Sequence, residues 1–236
     1  MSVIKFGTDG WRARIAEDYT FSNVRRVTQA FAAYLKQHGL ADRGIVIGYD
    51  QRFNSDLFAE AAAEVMAGNG IHTWLTMTNS PTPVISYTAV EREAGGAINI
   101  TASHNPPTDN GFKVRDPNGG AIAPEGLKEI ESYIPEAEGA VELSDIGEAE
   151  KKGLITRWDP NPAYIAHLKQ LVDLDALQNA GLDILVDPMW GNAAGWFPRL
   201  LGGGNNTVRE IHAARHPLFP EMERPEPIEP NINAGL

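Results

Sequence analysis

Ala97-Ile98-Asn99-Ile100-Thr101-Ala102-Ser103-His104-Asn105-Pro106-Pro107 is the stretch on which the reading of this chain turns. Its apolar start predicts a buried strand over 97–101. In an open α/β sheet such a strand delivers Thr101-Ala102-Ser103 to its carboxyl end, where these sheets bind ligands. Pro106 and Pro107 stiffen the exit and push the residue before each into extended geometry. A serine fixed at a rigid strand end can meet an incoming phosphoryl group in line without first being ordered. The same residues also read as an ordinary polar turn after a strand, and spacing alone does not separate the two.

Working outward, strand-like and helix-like segments alternate. Val3 to Phe6 predicts a short strand. Ser22 to His38 predicts a helix capped by Ser22, with Val24, Val27, Phe31, Tyr34 and Leu35 inward and Gly39 as its stop. Ile45 to Tyr49 reads as a buried strand. Ser55 is expected to cap a second helix that turns Leu57, Phe58, Ala61, Val65 and Met66 inward and ends at Gly68-Asn69-Gly70. A strand over 71–76, a helix begun by Pro81-Thr82-Pro83 and a hairpin from Phe112 through Asp116-Pro117-Asn118-Gly119-Gly120 to Ala121-Ile122 follow, then a helix over 125–134. This alternation predicts an α/β sheet with helices on both faces.

Residues 136–150 change character, with six acids and no base, and predict a solvated linker. A first domain over 1–154 and a second over 155–236 are expected. The second has a helix from Pro162 to Val172, strands at 184–186 and 208–211, and a helix over 193–201 stopped by Gly202-Gly203-Gly204. Five prolines then fall between 217 and 230 and predict an extended segment. Two clear strands are too little sheet to cover these helices, so the second α/β domain is expected to be incomplete.

Composition narrows the classes. The 236 residues carry 20 Lys+Arg against 31 Asp+Glu, a net charge of −11, which repels nucleic acid and anionic membrane at long range. There is no cysteine, hence no disulfide, thiolate metal site or cysteine nucleophile. No signal-peptide pattern and no apolar stretch near ~20 residues occurs, so a cytoplasmic location is expected. Nucleotide-binding glycine loops and the H-E-x-x-H and G-x-S-x-G motifs are missing. The six histidines lack a recurring metal-ligand spacing, and His104 stands out only through its neighbours.

Cations gather around the serine despite the acidic total. Lys5, Arg12 and Arg14 lie near the expected first strand, and Lys113 and Arg115 share one face of a strand that follows Ser103. Phosphoryl transfer spreads negative charge over equatorial oxygens and needs such cations, although a solvated basic face would look the same in sequence. Asp50 and Arg52 read as a pair bracing a strand end.

Four segments in order, Phe6-Gly7-Thr8-Asp9-Gly10-Trp11-Arg12, Gly48-Tyr49-Asp50-Gln51-Arg52, the serine stretch, and Asn110-Gly111-Phe112-Lys113-Val114, resemble the first domain of the α-D-phosphohexomutases. Residues 160–236, with Val186-Asp187-Pro188-Met189-Trp190-Gly191, resemble the start of that family's second domain. The resemblance implies a mixed sheet in domain 1 and a four-domain enzyme that interconverts hexose 1-phosphate and hexose 6-phosphate through a phosphoserine and a hexose 1,6-bisphosphate. It implies Ser103 as the phosphoserine and, through its phosphate, one ligand of Mg²⁺. It also implies His104 touching that phosphate, Lys113 assisting proton transfer and Arg12 beside the phosphoserine. The family's Asp-Gly-Asp-x-Asp-Arg metal loop, its sugar-reading loop and its distal phosphate loop are not in the sequence. The expected partners are therefore the hexose phosphates and the remaining domains of the enzyme. Against an N-terminal enzyme half stands a non-catalytic short form that keeps the fold as a binding or assembly module.

Overall fold

The strand ahead of Ser103 sits in the middle of a six-stranded sheet, and the rest of the first unit is arranged around it. The computed structural model describes residues 4–236. In chain order the first unit contains β1 (Trp11–Arg14), α1 (Phe21–Gln37), β2 (Ile45–Tyr49), α2 (Ser55–Gly68), β3 (Thr73–Thr76) and α3 (Thr82–Glu91). It continues with β4 (Ala97–Ile100), β5 (Asp109–Arg115), α4 (Pro124–Ser132), α5 (Ile146–Lys151) and β6 (Ile155–Trp158). The strands pair in the order β1-β5-β4-β2-β3-β6. β4, β2, β3 and β6 run parallel, while β5 pairs antiparallel with both β4 and β1. The sheet is mixed, as expected.

Side-chain alternation explains the two layers. Ile45 and Ile47 of β2 and Ile98 and Ile100 of β4 enter the core under α1 and α2, with Val24, Val27, Phe31, Leu35 and Phe58. Val46 and Ala97, one residue out of phase, meet Ile85 and Ala89 of α3 on the opposite face. Burying a side chain such as Phe31 or Phe58 stabilises the fold by about 1.5–3 kcal/mol. Gly48 leaves room for α3, since a Cβ there would overlap Ile85.

Several expectations change in detail. Thr20, not Ser22, caps α1: its extended backbone (φ −121°, ψ 161°) lets its hydroxyl accept the Asn23 N–H. Ser55 opens α2 as a helical residue behind a left-handed Asn54, and its hydroxyl donates to Asp50 instead (2.6 Å). Leu57 is 46% exposed rather than inward, because Phe58 takes the core-facing position. The first strand is Trp11–Arg14; Ile4–Phe6 form no strand, and Val3 lies outside the described residues. The expected hairpin after Phe112 is reduced to one bridge, Arg115 to Ala121, because β5 spends its bonding edges on β4 and β1.

The acidic stretch 136–150 is pinned rather than free. The Glu142 N–H donates to the Gln29 side chain and the Ser144 N–H to the Glu64 carbonyl, followed by α5. β6 then pairs with β3, so residues 155–158, placed beyond the expected boundary, are an edge strand of the first sheet.

The second unit contains α6 (Asn161–Leu171), α7 (Leu174–Gln178), β7 (Asp183–Val186), α8 (Trp196–Leu201) and β8 (Thr207–Glu210). β7 and β8 form a parallel pair. α8 starts three residues later than expected, behind a left-handed Gly195. Neither α6 nor α8 contains a buried residue. A small cluster of Met189, Phe219 and Met222, with Trp190 and Ile232 against it, anchors the proline-rich segment. No helix among the described residues is long and apolar enough to cross a membrane.

Candidate functional site

β4 ends at Ile100, and the chain reaches β5 only at Asp109. The loop between them carries Ser103 and is tied down at both ends. The Thr101 N–H donates to the Gly111 carbonyl (2.9 Å), and the Ile15 N–H donates to the Thr108 carbonyl (2.9 Å). A Cβ at Gly111 would overlap the Thr101 carbonyl, so only glycine lets the two arms close. Tyr19, fully buried, donates its hydroxyl to the same Gly111 carbonyl (2.8 Å). Burial, then the Asp50 charge, pushes this phenol well above its ordinary pKa, so it stays a donor.

Within the loop the Ser103 N–H donates to the Thr101 hydroxyl (3.0 Å) and the Asn105 N–H to the Ala102 carbonyl (3.1 Å). These bonds accompany a left-handed Ser103, φ 56°, a conformation uncommon for a residue with a Cβ. Ser103 and His104 are exposed, whereas Thr101 and Ala102 beneath them are buried. The loop is a turn at a strand end and also a rigid mount for an outward serine.

Arg52 lies under the loop, 1% exposed. Its guanidinium donates to the carbonyls of Ser103 (2.8 Å), Asn105 (2.7 Å), Pro106 (2.7 Å) and Asp109 (3.0 Å). Its Nε is 3.3 Å from the Asp50 carboxylate, which also accepts the Arg52 N–H (2.9 Å). Burial lowers the Arg52 pKa against the opposing charges of Asp50 and Asp109, yet an arginine remains charged. The bracing role expected of the Asp50–Arg52 pair is therefore directed at the serine loop.

A cleft of about 330 Å³ opens in front of the loop. Thr101, Ser103 and His104 form one wall with residues 50–52 and 81–83; Pro188 to Asn192, Phe219 and Pro225 of the second unit form the other. The two units are stitched at its rim. Asn192 donates to the Ser80 carbonyl (2.8 Å), Gln51 to the Gly191 carbonyl (3.2 Å), and Arg215 to the Arg52 carbonyl (3.4 Å). The Phe219 ring covers the Arg52 guanidinium at 5.0 Å, and His104 is 3.5 Å from the Glu226 carboxylate.

The other candidate residues lie to one side. Arg12 donates to the Asn105 side chain (3.0 Å), which in turn donates to Asp109 (2.9 Å), so Arg12 reaches the loop through Asn105. It lines a separate recess with Lys5, Thr8 and Asp9. Lys113 is 5% exposed and holds Asp9 at 2.6 Å, and Arg115 on the same face of β5 holds the other Asp9 oxygen at 2.9 Å. Partial burial raises the Asp9 pKa, but the bonds and charges of Lys113 and Arg115 outweigh it and hold the carboxyl below its ordinary value. Lys113 does not line the Ser103 cleft. The structure thus joins Ser103 and His104 directly, adds Arg12 at one remove, and leaves Lys113 on a neighbouring ion cluster.

Among the described residues no three His, Asp or Glu side chains converge to hold a metal ion. The carboxylates beside the loop are engaged, Asp50 with Arg52 and Ser55, Asp109 with Asn105 and Thr108. Mg²⁺ requires near-octahedral oxygen donors. The donors among the described residues do not by themselves make the Mg²⁺ site that the resemblance implies.

Comparison with known proteins places the chain in a family. Residues 3–140 match the model of phosphoglucomutase/phosphomannomutase, alpha/beta/alpha domain I, and residues 162–234 match that of domain II. The chain belongs to this family. A phosphoglucomutase/phosphomannomutase of Thermococcus kodakarensis is 29% identical over 98% of the chain and 49% of its own length. A phosphoglucosamine mutase of Synechococcus elongatus is 33% identical over 98% of the chain and 45% of its own length. The crystal structure of a Thermus thermophilus protein described as a phosphomannomutase candidate superposes with a TM-score of 0.86 at 36% identity, covering 99% of this chain and 51% of that one. The chain spans about half the length of the curated relatives it matches. Members of the phosphoglucomutase/phosphomannomutase family are phosphomutase isomerases, and the relatives' names span glucose, mannose and glucosamine.

Proposed function

We propose that this chain supplies the phosphoserine half of a hexose-phosphate mutase. Ser103 carries a phosphate, passes it to the free hydroxyl of a hexose monophosphate to give hexose 1,6-bisphosphate, and takes the other phosphate back. In the forward step the bond from phosphorus to the serine oxygen breaks as the bond to the sugar oxygen forms. The sugar hydroxyl gives up its proton and the serine oxygen ends protonated. The observation that carries the reading is a left-handed, outward serine on a pinned loop facing a cleft between two units.

A serine phosphate carries about −1.5 to −2 charges near neutrality and needs charge-assisted partners. His104 adjoins it in sequence, and Arg12 meets the same loop through Asn105. Lys113 would have to exchange its bond to Asp9 for one to the sugar hydroxyl before it could move a proton. The wording of the serine loop favours glucose or mannose phosphates over glucosamine phosphate. The first domain is proposed to run through Trp158, since β6 completes its sheet. Mg²⁺ is proposed to bind the Ser103 phosphate together with carboxylates outside these residues.

The 236 residues alone are proposed to have negligible turnover, because the donors among the described residues form no metal site. A coupled assay with glucose 1-phosphate tests this; turnover comparable to that of a full-length mutase would overturn it. In the full-length enzyme, Ser103→Ala is expected to remove turnover while leaving the melting temperature within a degree or two.

A further inference from the structure

We infer that Arg52 is the positioning residue of the proposed phosphoryl transfer, acting wholly through the main chain of the serine loop; the inference rests on the phosphoserine reading above. An arginine has five N–H donors in a planar fork. Here the two terminal nitrogens serve four carbonyls, those of Ser103, Asn105, Pro106 and Asp109, and Nε faces Asp50. The fork is fully committed and the side chain is 1% exposed, leaving no donor for a phosphate. Any effect on the reaction therefore passes through the loop.

The loop needs such a hold. A left-handed serine costs on the order of 1 kcal/mol and persists only where its surroundings fix it. Four neighbouring carbonyls turned toward one point would repel one another and lose their water without a cation among them. The guanidinium supplies that charge, and its planarity sets the relative directions of the carbonyls of Ser103 and Asn105, which flank His104. Fixing the Ser103 carbonyl fixes the ψ that follows φ 56°, and with it the direction in which the side chain leaves the backbone. Displacement by about 1 Å at a reacting group can cost on the order of 10²-fold in rate.

Asp50 and Phe219 hold the holder. Asp50 accepts the Arg52 main-chain N–H and the Ser55 hydroxyl while facing Nε. Phe219 of the second unit lies against the guanidinium face. A lysine cannot substitute, because one ammonium has three donors and no plane.

The test uses Arg52→Lys in the full-length enzyme, with glucose 1,6-bisphosphate as phosphoryl donor and Ser103 phosphorylation followed by intact mass. A roughly 10- to 100-fold lower rate at saturating bisphosphate is expected, with the half-saturating concentration changed less than about threefold, as for a residue that orients without touching the ligand. A rate within twofold of wild type, or a change confined to half-saturation, would overturn the inference. Should Arg52→Lys not fold, Asp50→Asn keeps the fork and loosens it, and a smaller loss, about 3- to 10-fold, is expected on the same rate; an unchanged rate there overturns the inference instead. Hydrogen exchange of the amides at 101, 103, 105 and 109 in the 236-residue chain gives a readout without chemistry. Faster exchange in either variant supports the hold, and unchanged exchange contradicts it. If wild-type enzyme takes up no phosphate at all, the phosphoserine reading fails while the exchange result still decides what Arg52 holds.

Discussion

The two units of the chain follow the same α/β logic with different results. In the first, α1 alone buries Val24, Val27, Ala30, Phe31, Ala32 and Leu35, and six strands give its helices two faces to cover. In the second, α6 and α8 contain no buried residue, β7 and β8 stand as a pair, and Leu171, Leu182, Leu185 and Phe197 are 42–67% exposed. Patterning sets which face of an element is apolar, and the number of strands available sets whether that face is covered. The serine loop belongs to the unit with the complete core, and the second unit contributes a wall. This division suits the proposed phosphoserine site, whose nucleophile must be fixed.

Unequal truncations test this contrast. Phe31→Ala, in the first core, is expected to lower stability by about 3–5 kcal/mol in urea unfolding. Leu185→Ala on β7 is expected to cost less than about 1 kcal/mol, since that side chain is already 46% exposed. Equal costs would mean that the second unit is packed as tightly as the first. Gly48→Ala should cost about 1–3 kcal/mol, because the new methyl must displace Ile85. Hydrogen exchange should separate the units without mutation, with α6 amides exchanging faster than those in the middle of α1; equal protection would count against the contrast.

The smallest effect concerns acid. Because the folded Asp9 carboxyl is held below its ordinary value, its contribution to stability is fully present above the unfolded carboxylate value, about 3.9, and is lost as pH falls through the lowered folded value. Acid unfolding of wild type should therefore steepen below about pH 4, and Asp9→Asn should flatten that part of the curve. A curve of unchanged shape would show that the Lys113–Asp9–Arg115 cluster is not coupled to folding.

What sequence could show follows the same physics. β2, β4, α1 and α2 were legible because apolar periodicity is strong where an element is covered on a buried face. The serine loop was legible as a turn at a strand end from the strand and two prolines in order, whereas spacing alone did not mark out its serine and only the likeness to the family's motif did. β1 and β6 were not, since Trp11-Arg12-Ala13-Arg14 and Ile155-Thr156-Arg157-Trp158 mix apolar with charged residues, as edge strands do. β5 was half seen, because Asn110-Gly111 interrupts its pattern for the sake of Ser55 and the Thr101 carbonyl. The Arg52 fork was visible only as a brace, because its four partners are carbonyls and main-chain acceptors leave no mark in a sequence. The pairing of Lys113 with Asp9 leaves no sequence mark for a related reason: the two lie about a hundred residues apart, and Asp9 shares its motif with Arg12.

On the proposed mechanism, Ser103 is the residue that carries the phosphate. It is tested most directly by incubating the full-length enzyme with glucose 1,6-bisphosphate, mapping the phosphorylated peptide, and chasing the isolated phosphoenzyme with glucose 6-phosphate. One phosphate is expected, on Ser103, and it should leave during the chase as hexose bisphosphate. A phosphate on any other residue, or one on Ser103 that the sugar phosphate cannot remove, would contradict it.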